Sequence, residues 1–494
     1  MQLMDLIADL PITPEAHARP DVLGITHDSR RVEAGDLFAA LVGEHFDGRE
    51  YAAQAAKRGA VAVLATGTRA RDLDSRVAWL EAQDPRSLLG PLAARIYGHP
   101  DREMAMIGVT GTNGKSTVVE LLRSILDAAG RPTGSIGTLG YRFGELIFSA
   151  ERTTPEASDL FRMMRSMRDA GAEAAAMEVS SHALTLGRVE GARFDLAIFT
   201  NLSRDHFDFH ADIESYFEAK RRLFSQLKTG GRAVVNVADE YGRRLAAELP
   251  GVLTFGEGGE VSPLEVECDA RGLRGTLSTP RGPLEFHSGL LGSFNLENLM
   301  AAVAGAETLG VERAAIRRAL AAARPLPGRL EPVVCGQPFP VLVDFAHTDG
   351  ALDAALSAVK ALGDYKVLVV FGCGGDRDPG KRVLMGRVAG EKADAVIATS
   401  DNPRSEDPRQ ILDEVERGLV ESQAGDFEVV VDRREALRRA VDRAAGSADQ
   451  RWAVLVAGKG HEEVQIFGDR QVPFSDRAEL AAALEERFGA RNIG

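Results

Sequence analysis

The most informative segment of this chain is Gly108-Val-Thr-Gly-Thr-Asn-Gly-Lys-Ser-Thr117. It follows an apolar, strand-like run at residues 104–107 and opens a helix-like run at residues 117–129. A strand, a glycine-rich turn and a helix in this order form a phosphate-binding loop, in which backbone N–H groups and the helix N-terminus cradle phosphates. Lys115 would reach the outer phosphates and the Ser116 hydroxyl would bind Mg²⁺, so the sequence predicts nucleotide binding.

The spacing of this loop differs from that of a standard P-loop, which has four residues between its glycines. Here Val109 occupies the expected first glycine position, and Gly108 and Gly111 flank it. An inert surface turn is the alternative, because Gly-Lys-Ser triplets also occur by chance. The strand and helix patterns on either side favour the phosphate loop.

Composition places the chain among soluble multidomain proteins. Its 494 residues predict about three domains. A net charge of −14 spread along the chain argues against a nucleic-acid partner. The three cysteines have no metal-type spacing, the N-terminus carries acids where a signal peptide has basic residues, and no apolar run approaches membrane-spanning length. We therefore expect a cytoplasmic protein that is not inserted in a membrane.

Periodicity divides the chain into an α/β protein of three domains. A small N-terminal domain would span residues 1–100, ending near Gly98-His-Pro100. A central P-loop ATPase-type domain would span residues 101–329, with strand-like runs at residues 174–179, 196–200 and 233–237, an antiparallel excursion at residues 264–291 and a helix at residues 295–309.

The C-terminal segment, residues 330–494, follows the linker Pro325-Leu-Pro-Gly328. Its strand-like runs are separated by helical stretches, at residues 341–343, 366–370, 395–398, 428–431 and 453–456. This pattern predicts a doubly wound, Rossmann-like domain. Glycine clusters at residues 372–375 and 458–460 follow two of the strands, where ligands bind in open α/β sheets.

Asn201-Leu-Ser-Arg-Asp-His-Phe-Asp-Phe-His210 places two histidines and two aspartates directly after a predicted strand. Such a set suits a metal or a phosphate. A polar loop whose histidines only form hydrogen bonds is an equal alternative at this point.

Lys220 lies on an apolar helix face with Phe217 and Phe224, while Arg221 and Arg222 point elsewhere. A lysine in this position commonly extends its ammonium to the surface. The other outcome is a depressed pKa and a neutral amine, which can add CO₂ to form a carbamate that serves as a carboxylate ligand for Mg²⁺.

Met177-Glu-Val-Ser-Ser-His182 ends another strand-like run with a carboxylate and hydroxyls. Glu178 could hold Mg²⁺ through oxygen, and a Ser–His nucleophile is the rival interpretation. We favour the metal ligand, because a chain with a phosphate loop already has a means of activating its substrate.

Asp401-Asn-Pro-Arg404 places an acid, an amide and a guanidinium on one turn after a strand. The arginine could clamp a carboxylate in a bidentate manner. A turn stabilised only by its Asp and Pro is the simpler interpretation of these four residues.

Taken together, the chain resembles the Mur ligases along essentially its whole length, most closely the type that adds meso-diaminopimelate. The resemblance rests on Thr26-His-Asp-Ser29, Gly111-Thr-Asn-Gly-Lys-Ser116, Thr153-Thr-Pro155, Met177-Glu-Val-Ser-Ser-His182, the stretch 201–210, Lys220, Gly292-Ser-Phe-Asn-Leu-Glu-Asn298, Pro327-Gly-Arg329, Val343-Asp-Phe-Ala-His347, Gly374-Gly-Asp-Arg377, Asp401-Asn-Pro-Arg404 and Gly458-Lys-Gly-His-Glu462. It implies an N-terminal domain for a UDP moiety, a central ATPase and a C-terminal domain for the incoming amino acid.

The resemblance also implies the reaction. ATP would phosphorylate the D-Glu carboxylate of UDP-N-acetylmuramoyl-L-Ala-D-Glu, and the amine of meso-diaminopimelate would attack the acyl phosphate in a step of peptidoglycan synthesis. A carboxylate is a poor electrophile, so phosphorylation supplies the leaving group while Mg²⁺ and Lys115 spread the charge. Lys220 resembles the family's carbamylated lysine, and the family expectation for the assembly is a monomer.

The resemblance assigns the remaining candidate residues by position. Catalysis would use Lys115, Glu178, His206 and Lys220, with Ser116, Glu178, His206 and carbamylated Lys220 at the metal. ATP would contact Gly111, Thr112, Asn113, Gly114, Lys115, Ser116, Thr117, Asn295, Asn298, Arg329 and Asp344. The UDP substrate would contact His27, Ser29, Glu44, His45, Phe46, Arg152, Thr153, Thr154, Ser180, Leu186 and Arg188. Diaminopimelate would contact Arg377, Asp401, Asn402, Pro403, Arg404, Gly458 and Glu462.

Arg152 and Leu186 stand where many relatives have asparagine and glutamine. The alternatives are a sister ligase that adds L-lysine or acts on folate, and a nucleotide-binding switch that makes no bond. The N-terminal segment and Arg404 argue against the first alternative, and a switch would leave Lys220 and His206 without a purpose.

Overall fold

The structure is a computed structural model that describes residues 1–15, 19–43, 46–150, 152–446 and 450–489. The chain forms three α/β domains, as the sequence predicts. Among the described residues, no helix combines the length and apolar character needed to span a membrane. All three cysteines are free thiols.

The N-terminal domain is built on a five-stranded sheet. Its elements are α1 (Leu3–Leu6), β1 (Thr13–Pro14), β2 (Gly24–Thr26), β3 (Asp36–Ala39), α2 (Ala52–Lys57), β4 (Ala62–Ala65), β5 (Ala78–Glu81) and α3 (Pro85–Ile96), with 3₁₀ helices at Ser29–Arg31 and Gly48–Tyr51. The strand order is β1-β5-β4-β3-β2, and only β1 is antiparallel to its neighbour. Asp84 starts α3 because its carboxylate accepts the N–H groups of Arg86 and Ser87.

The central domain is built on an eight-stranded sheet. Its elements begin with α4 (Pro100–Glu103), β6 (Ala105–Thr110), α5 (Lys115–Ala128), β7 (Thr133–Gly137), β8 (Gly140–Phe143), β9 (Leu146–Phe148), α6 (Ala157–Asp169), β10 (Ala174–Glu178) and α7 (Ser181–Thr185). They continue with β11 (Phe194–Phe199), α8 (Ile213–Ser225), β12 (Leu227–Asn236), α9 (Glu240–Glu248) and β13 (Leu253–Phe255). The strand order is β13-β12-β11-β6-β10-β7-β8-β9, and the sheet is parallel except for β8 and β9 at one edge.

The predicted antiparallel excursion is a separate three-stranded sheet. It consists of β14 (Ser262–Asp269), β15 (Gly272–Ser278) and β16 (Leu284–Ser288), and is followed by α10 (Ser293–Thr308) and α11 (Arg313–Ala322). The strand predicted at residues 233–237 begins earlier, at Leu227, because a register shift against β11 lets pairing resume after an irregular stretch.

The C-terminal domain is built on a six-stranded sheet. Its elements are β17 (Glu331–Pro332), β18 (Val341–Asp344), α12 (Asp349–Lys360), β19 (Lys366–Phe371), α13 (Gly380–Lys392), β20 (Ala395–Thr399), α14 (Pro408–Glu421), β21 (Phe427–Val430), α15 (Arg433–Gly446), β22 (Trp452–Ala457), the hairpin β23 (Val464–Phe467) and β24 (Arg470–Pro473), and α16 (Asp476–Phe488). The strand order is β17-β18-β22-β19-β20-β21, parallel except for β17. The five predicted strands of this domain are confirmed to within a residue or two at their ends.

Apolar packing joins the domains unequally. One continuous core cluster runs from Leu3 and Leu92 of the N-terminal domain to Phe161 and Met164 of α6, so these two domains share a core. The C-terminal sheet has its own core on each face. The carboxyl ends of its strands face the central domain, which places a cleft between the two.

Candidate active site

The predicted phosphate loop joins β6 to α5, and its backbone is held tightly against the neighbouring strand. Gly111 and Gly114 have φ values of 148° and 85°, which favour glycine. A Cβ on Gly114 would lie 2.1 Å from the Asn298 side-chain oxygen. The Thr200 hydroxyl donates to the Asn113 carbonyl at 2.6 Å. The loop therefore approaches α10 closely at the point where Asn298 lies.

Lys115 and Ser116 occupy the first turn of α5, where a phosphate loop needs them. The Lys115 ammonium donates to the carbonyls of Gly111 and Thr112 at 3.0 and 2.9 Å. The Ser116 hydroxyl donates to Glu178 Oε1 at 2.8 Å. Burial lowers the pKa of Lys115, although Glu178 and Asp205 oppose that effect.

Glu178 ends β10 and is only 2% exposed. Besides Ser116, it accepts the Thr138 backbone N–H at 2.8 Å and the Thr138 hydroxyl at 3.3 Å. The Thr154 hydroxyl donates to the Glu178 backbone carbonyl at 2.9 Å. A buried carboxylate with two hydroxyls beside it is a set of oxygen donors suited to Mg²⁺.

Lys220 is buried on α8, with an exposed fraction of 1%. Its ammonium donates to the Gly111 carbonyl at 2.8 Å and lies 4.3 Å from the centre of the Tyr216 ring. Burial and the nearby charge of Lys115 hold the pKa of Lys220 well below its usual range. The alternative in which this lysine extends to the surface is therefore wrong, because its amine lies under the phosphate loop.

His206, the predicted metal-ligating histidine, has a left-handed backbone with φ 58°. Its Nε2 lies 3.4 Å from Asp205 Oδ2, and its ring packs edge-on against His182. Burial lowers the pKa of His206 to about 3 despite the Asp205 carboxylate. Neutral imidazole is the form that can ligate a metal or accept a proton.

Asp205 connects the central and C-terminal domains through His347, whose Nε2 lies 3.8 Å from Asp205 Oδ2. Burial opposes ionisation of Asp205, but His347, His206 and Lys381 outweigh it and hold the pKa of Asp205 well below its usual range. Asp205 is therefore a largely buried carboxylate anion beside His206.

The other predicted nucleotide contacts surround the same loop. Asn295 binds the Leu291 carbonyl and accepts the Asn298 amide. Arg329 lies over the Phe345 ring, and its Nη2 is 3.4 Å from the Ser116 hydroxyl. Among the described residues, the buried Arg329 Nε has no acceptor, so a cationic donor is available for a phosphate.

Thr112, Thr117 and Asp344 complete the predicted nucleotide set. The Thr112 hydroxyl accepts the Ser203 N–H at 3.0 Å, and Thr117 is buried in the first turn of α5. Each carboxylate oxygen of Asp344 accepts one backbone N–H, from Leu330 and Ala346. Burial raises the pKa of Asp344, and Arg329 opposes that effect.

Among the predicted UDP contacts that the structure describes in the N-terminal domain, His27 lies at the junction with the central domain. His27 Nδ1 is 3.1 Å from the Ser158 hydroxyl of α6, and the Ser29 hydroxyl donates to Gln54 at 3.3 Å. Phe46 is largely exposed. Glu44 and His45 lie outside the described residues, so the structure gives no position for these two predicted contacts.

The predicted sugar-peptide contacts cluster closer to the phosphate loop. Thr153 and Thr138 bring their hydroxyls within 3.0 Å, and the Thr154 hydroxyl accepts the Ser180 N–H at 3.1 Å. Ser180 caps α7, which Leu186 follows. A cleft lies beside them, and its lining includes Arg31, Tyr141, Phe148, Arg152, Glu156, Asp159 and Arg162. Within the described part of the chain, Arg152 is the one predicted UDP contact that lines this cleft.

Glu156 organises the arginines of this region, and no sequence motif assigned a role to it. Arg152 and Arg188 bind Glu156 Oε1 at 3.1 and 2.9 Å, and Arg86 of α3 lies 3.5 Å from Oε2. Three guanidinium groups around one buried carboxylate leave a net positive charge, which suits an anionic substrate. The sequence did contain one indication of this role, because Glu156 directly follows Thr153-Thr-Pro155, whose threonines are predicted to contact the UDP substrate.

The predicted amino-acid contacts lie together in one cleft between the central and C-terminal domains. Six of the seven line it, and Pro403 does not: Arg377, Asp401, Asn402, Arg404, Gly458 and Glu462. Asp205, His206 and His347 line the same cleft. The residues come from the ends of several parallel strands, which a doubly wound sheet brings to one edge.

Arg404 has a left-handed backbone with φ 51° and is fixed at several points. Its N–H donates to the Ile466 carbonyl at 3.0 Å, and its guanidinium donates to the Gly375 carbonyl at 2.6 Å. Burial and Arg377 lower the pKa of Arg404, which means that two cations share this end of the cleft. Such a pair suits a carboxylate.

Several residues at the cleft received no role from the sequence, although Lys459 lies within the motif Gly458-Lys-Gly-His-Glu462. Lys381 and Asp378 of the α13 region line the cleft, and Lys459 lies buried beneath it. His347 ends the motif Val343-Asp-Phe-Ala-His347, which does not by itself predict a role for this histidine. Within the described residues, no group of three or more His, Cys, Asp or Glu side chains is arranged to hold a metal ion.

Three family models match successive parts of the chain. The Mur ligase family catalytic domain matches residues 21–97, the Mur ligase middle domain residues 109–306, and the Mur ligase glutamate ligase domain residues 328–460. The chain belongs to the Mur ligase family. It is an ATP-dependent ligase of peptidoglycan synthesis that forms an amide bond.

Within this family, the chain is similar to proteins named UDP-N-acetylmuramoyl-L-alanyl-D-glutamate–2,6-diaminopimelate ligase. The protein of Geobacter metallireducens is 43% identical over 489 residues, with 94% of each chain covered. That of Geobacillus kaustophilus is 42% identical over 501 residues, with 99% of this chain and 100% of the relative covered.

Solved structures agree with the family. A structure of a UDP-N-acetylmuramoyl-L-alanyl-D-glutamate–2,6-diaminopimelate ligase has a TM-score of 0.65 and 32% identity, covering 94% of this chain and 95% of that chain. The MurF ligase of Thermotoga maritima in complex with ADP has a TM-score of 0.68 and 19% identity, covering 95% of this chain and 98% of that one, which supports the fold alone.

Proposed function

We propose that this enzyme adds meso-2,6-diaminopimelate to the D-Glu carboxylate of UDP-N-acetylmuramoyl-L-Ala-D-Glu and converts ATP to ADP and phosphate. The main support for this proposal is that Arg377, Arg404 and His206 line the same cleft. An amino acid bound there would lie beside His206, a proposed metal ligand. The names of the relatives support the same pair of substrates.

The chemistry has two steps. A carboxylate oxygen of D-Glu attacks the γ-phosphorus of ATP and ADP leaves, giving an acyl phosphate. The neutral amine then attacks the acyl carbon, phosphate leaves, and the nitrogen loses a proton to give the amide. Lys115 and Arg329 supply positive charge at the transferred phosphoryl group, where negative charge must be spread.

We propose that Mg²⁺ is held by Ser116, Glu178, His206 and Lys220 as its carbamate. The residues fit the ion, because Ser116 and Glu178 present oxygens within 2.8 Å of one another and His206 is neutral. Bound Mg²⁺ would neutralise charge on the phosphates. Burial holds the pKa of Lys220 well below its usual range, which favours the unprotonated amine; that form can add CO₂ and release one proton, and the resulting anionic carbamate would serve as the ligand.

Anion recognition would occur at both ends of the enzyme. The UDP substrate would bind along His27, Ser29, Glu44, His45, Phe46, Arg152, Thr153, Thr154, Ser180, Leu186 and Arg188. At the other end, Arg377 and Arg404 would pair with the distal carboxylate of diaminopimelate, which L-lysine lacks. This difference is the basis for preferring diaminopimelate over lysine.

The deciding experiment measures phosphate release by the purified enzyme with ATP, Mg²⁺ and UDP-N-acetylmuramoyl-L-Ala-D-Glu. Three reactions are compared, containing meso-diaminopimelate, L-lysine or no amino acid. We expect release, and a matching tripeptide by mass spectrometry, with diaminopimelate. Phosphate release with lysine instead would overturn the proposed selectivity. Phosphate release at the same rate with either amino acid or with none would indicate a nucleotide hydrolase.

An Arg404→Met variant tests the selectivity separately. We expect the Michaelis constant for diaminopimelate to rise by about tenfold or more, since a charged hydrogen bond is worth roughly 1.5–3 kcal/mol. The Michaelis constant for ATP serves as the internal control. We also propose a monomer in the cytoplasm, with domain limits at residues 1–100, 101–329 and 330–494.

A further inference from the structure

Lys459 is a fully buried lysine directly beneath the amino-acid cleft. It follows β22, and its side chain has an exposed fraction of 0%. The ammonium donates to Asn402 Oδ1 at 3.1 Å, to Glu462 Oε2 at 3.0 Å and to the Val464 carbonyl at 2.6 Å. An ammonium has three donors, so all of them are used.

These contacts determine how Asn402 presents its amide. Asn402 Oδ1 accepts both the Lys459 ammonium and the Ile466 N–H, the latter at 3.0 Å. Two donors on one atom identify it as the oxygen, so the NH₂ group must point the other way. That NH₂ group donates to Glu462 Oε2 at 2.8 Å.

The same contacts orient Glu462. Its Oε2 accepts from both Lys459 and Asn402, whereas Oε1 forms no hydrogen bond within the part of the chain that the structure describes. Glu462 lines the cleft and its side chain is 32% exposed. One oxygen is therefore anchored in the protein and the other is available to a ligand.

We infer that Lys459 is a positioning residue for the incoming amino acid. It fixes Glu462 and Asn402 so that one carboxylate oxygen faces the ammonium at the distal end of diaminopimelate, the end whose carboxylate would pair with Arg377 and Arg404. The cleft is thereby matched to a zwitterionic amino-acid end, with a carboxylate site and an ammonium site. This inference rests on the proposed function, because it assigns a role within that substrate pocket.

A purely structural lysine would leave a different kinetic signature. Loss of a structural residue lowers the amount of active enzyme, and thus kcat, with each Michaelis constant unchanged. Loss of a positioning residue weakens binding of one substrate selectively. The Michaelis constants for diaminopimelate, ATP and the UDP substrate therefore separate the two roles.

The test is Lys459→Met, a side chain of similar length without the ammonium. We expect the Michaelis constant for diaminopimelate to rise by about tenfold or more, because charged hydrogen bonds to two pocket residues are lost. Those for ATP and the UDP substrate should stay within about twofold of wild type. An unchanged constant for diaminopimelate, or an equal rise in all three, would overturn the inference.

Val454→Ala is the matched control, since Val454 is fully buried in the preceding strand and faces a core away from the cleft. It should lower stability without changing the Michaelis constant for diaminopimelate. If Lys459→Met does not fold, the three Michaelis constants are compared for Lys459→Arg. A planar guanidinium cannot reproduce three tetrahedral contacts, so the Michaelis constant for diaminopimelate should again rise. Wild-type enzyme that is inactive with diaminopimelate refutes the proposed function, whereas active wild type with unaltered variants refutes only the role of Lys459.

Discussion

Lys220 is a buried lysine at the candidate active site, and its amine is shielded from water. An amine with an exposed fraction of 1% next to the charge of Lys115 is destabilised as a cation. Its contact with the Gly111 carbonyl holds it at the base of the phosphate loop. This position suits the proposed carbamate, because a buried amine with a lowered pKa is more readily available in the unprotonated form that adds CO₂.

Lys220→Ala is predicted to lower kcat by about 100-fold or more, because the proposed carbamate ligand of the metal is lost. Excess formate or acetate should partly restore turnover, and chloride at the same ionic strength should not. Phosphate release under saturating substrates is the measurement. Arg222→Ala, at an exposed position of the same helix, is the control, and full activity of Lys220→Ala would refute the carbamate proposal.

His461 resists protonation in the folded protein. Burial, Arg329 and Lys459 lower the pKa of His461 to about 4, and the buried Nδ1 has no partner among the described residues. The unfolded chain takes up this proton near pH 6.5. Between pH 6.5 and about 4 the unfolded state thus binds more protons than the folded state, so this residue makes stability fall as pH falls.

We expect the unfolding free energy to decrease by about 1 kcal/mol between pH 7 and pH 5.5 on account of His461. Urea unfolding followed by circular dichroism at the two pH values measures this difference. His461→Gln should reduce the difference, with His287→Gln, an exposed position of β16, as control for the loss of one imidazole. An identical pH dependence in wild type and His461→Gln would contradict the prediction.

At the scale of elements, Arg433 and Asp476 hold the strands of the C-terminal domain in place. Both side chains are fully buried and form two contacts of 2.7 Å between α15 and α16. Arg433 also donates to the carbonyls of Ser400 and Ala457, the residues directly before the Asp401 and Gly458 segments of the cleft. The pair therefore fixes two strand ends that carry candidate substrate contacts.

Asp476→Asn should destabilise the protein by about 3–5 kcal/mol, because it leaves a buried guanidinium without its counter-charge. Chemical unfolding monitored by circular dichroism provides the measurement. The control is Glu479→Gln, which breaks the exposed Arg434–Glu479 pair between the same two helices and should cost less than about 1 kcal/mol. Equal effects of the two substitutions would show that the buried pair adds no stability of its own.

At the scale of the whole molecule, the first two domains contact one another through backbone as well as side chains. A Cβ on Gly90 of α3 would lie 1.9 Å from the Glu190 carbonyl oxygen of the central domain. The apolar core is continuous across the same junction. A rigid junction of this kind suits a substrate whose proposed contacts come from both domains.

Gly90→Ala is predicted to destabilise the protein by about 1–3 kcal/mol, since the methyl group forces the domains apart. It should also raise the Michaelis constant for the UDP substrate and leave that for diaminopimelate unchanged. Thermal unfolding and steady-state kinetics measure the two effects. Gly350→Ala, on α12 with open space around the new methyl group, is the control, and wild-type behaviour of Gly90→Ala would contradict the close approach.

Much of the architecture was predictable from local patterns. The phosphate loop, the apolar face of α8 with Lys220, and the five strands of the C-terminal domain were each predicted and lie where expected. Strand ends were less well predicted, as the early start of β12 illustrates, because they depend on pairing with a neighbouring strand. The roles of the site residues stay predictions.

Local sequence patterns were sufficient to predict the family, the order of the elements and the residue types of the site, because glycine-rich turns, apolar periodicity and ordered motifs are encoded locally. Contacts between distant residues became known only from the packing of the folded chain. Lys459 lies under Asn402, Arg433 pairs with Asp476, and Glu156 gathers Arg152 and Arg188. Most of these contacts join segments that are far apart in the chain, so they follow from how the sheets and helices pack and have no local signature.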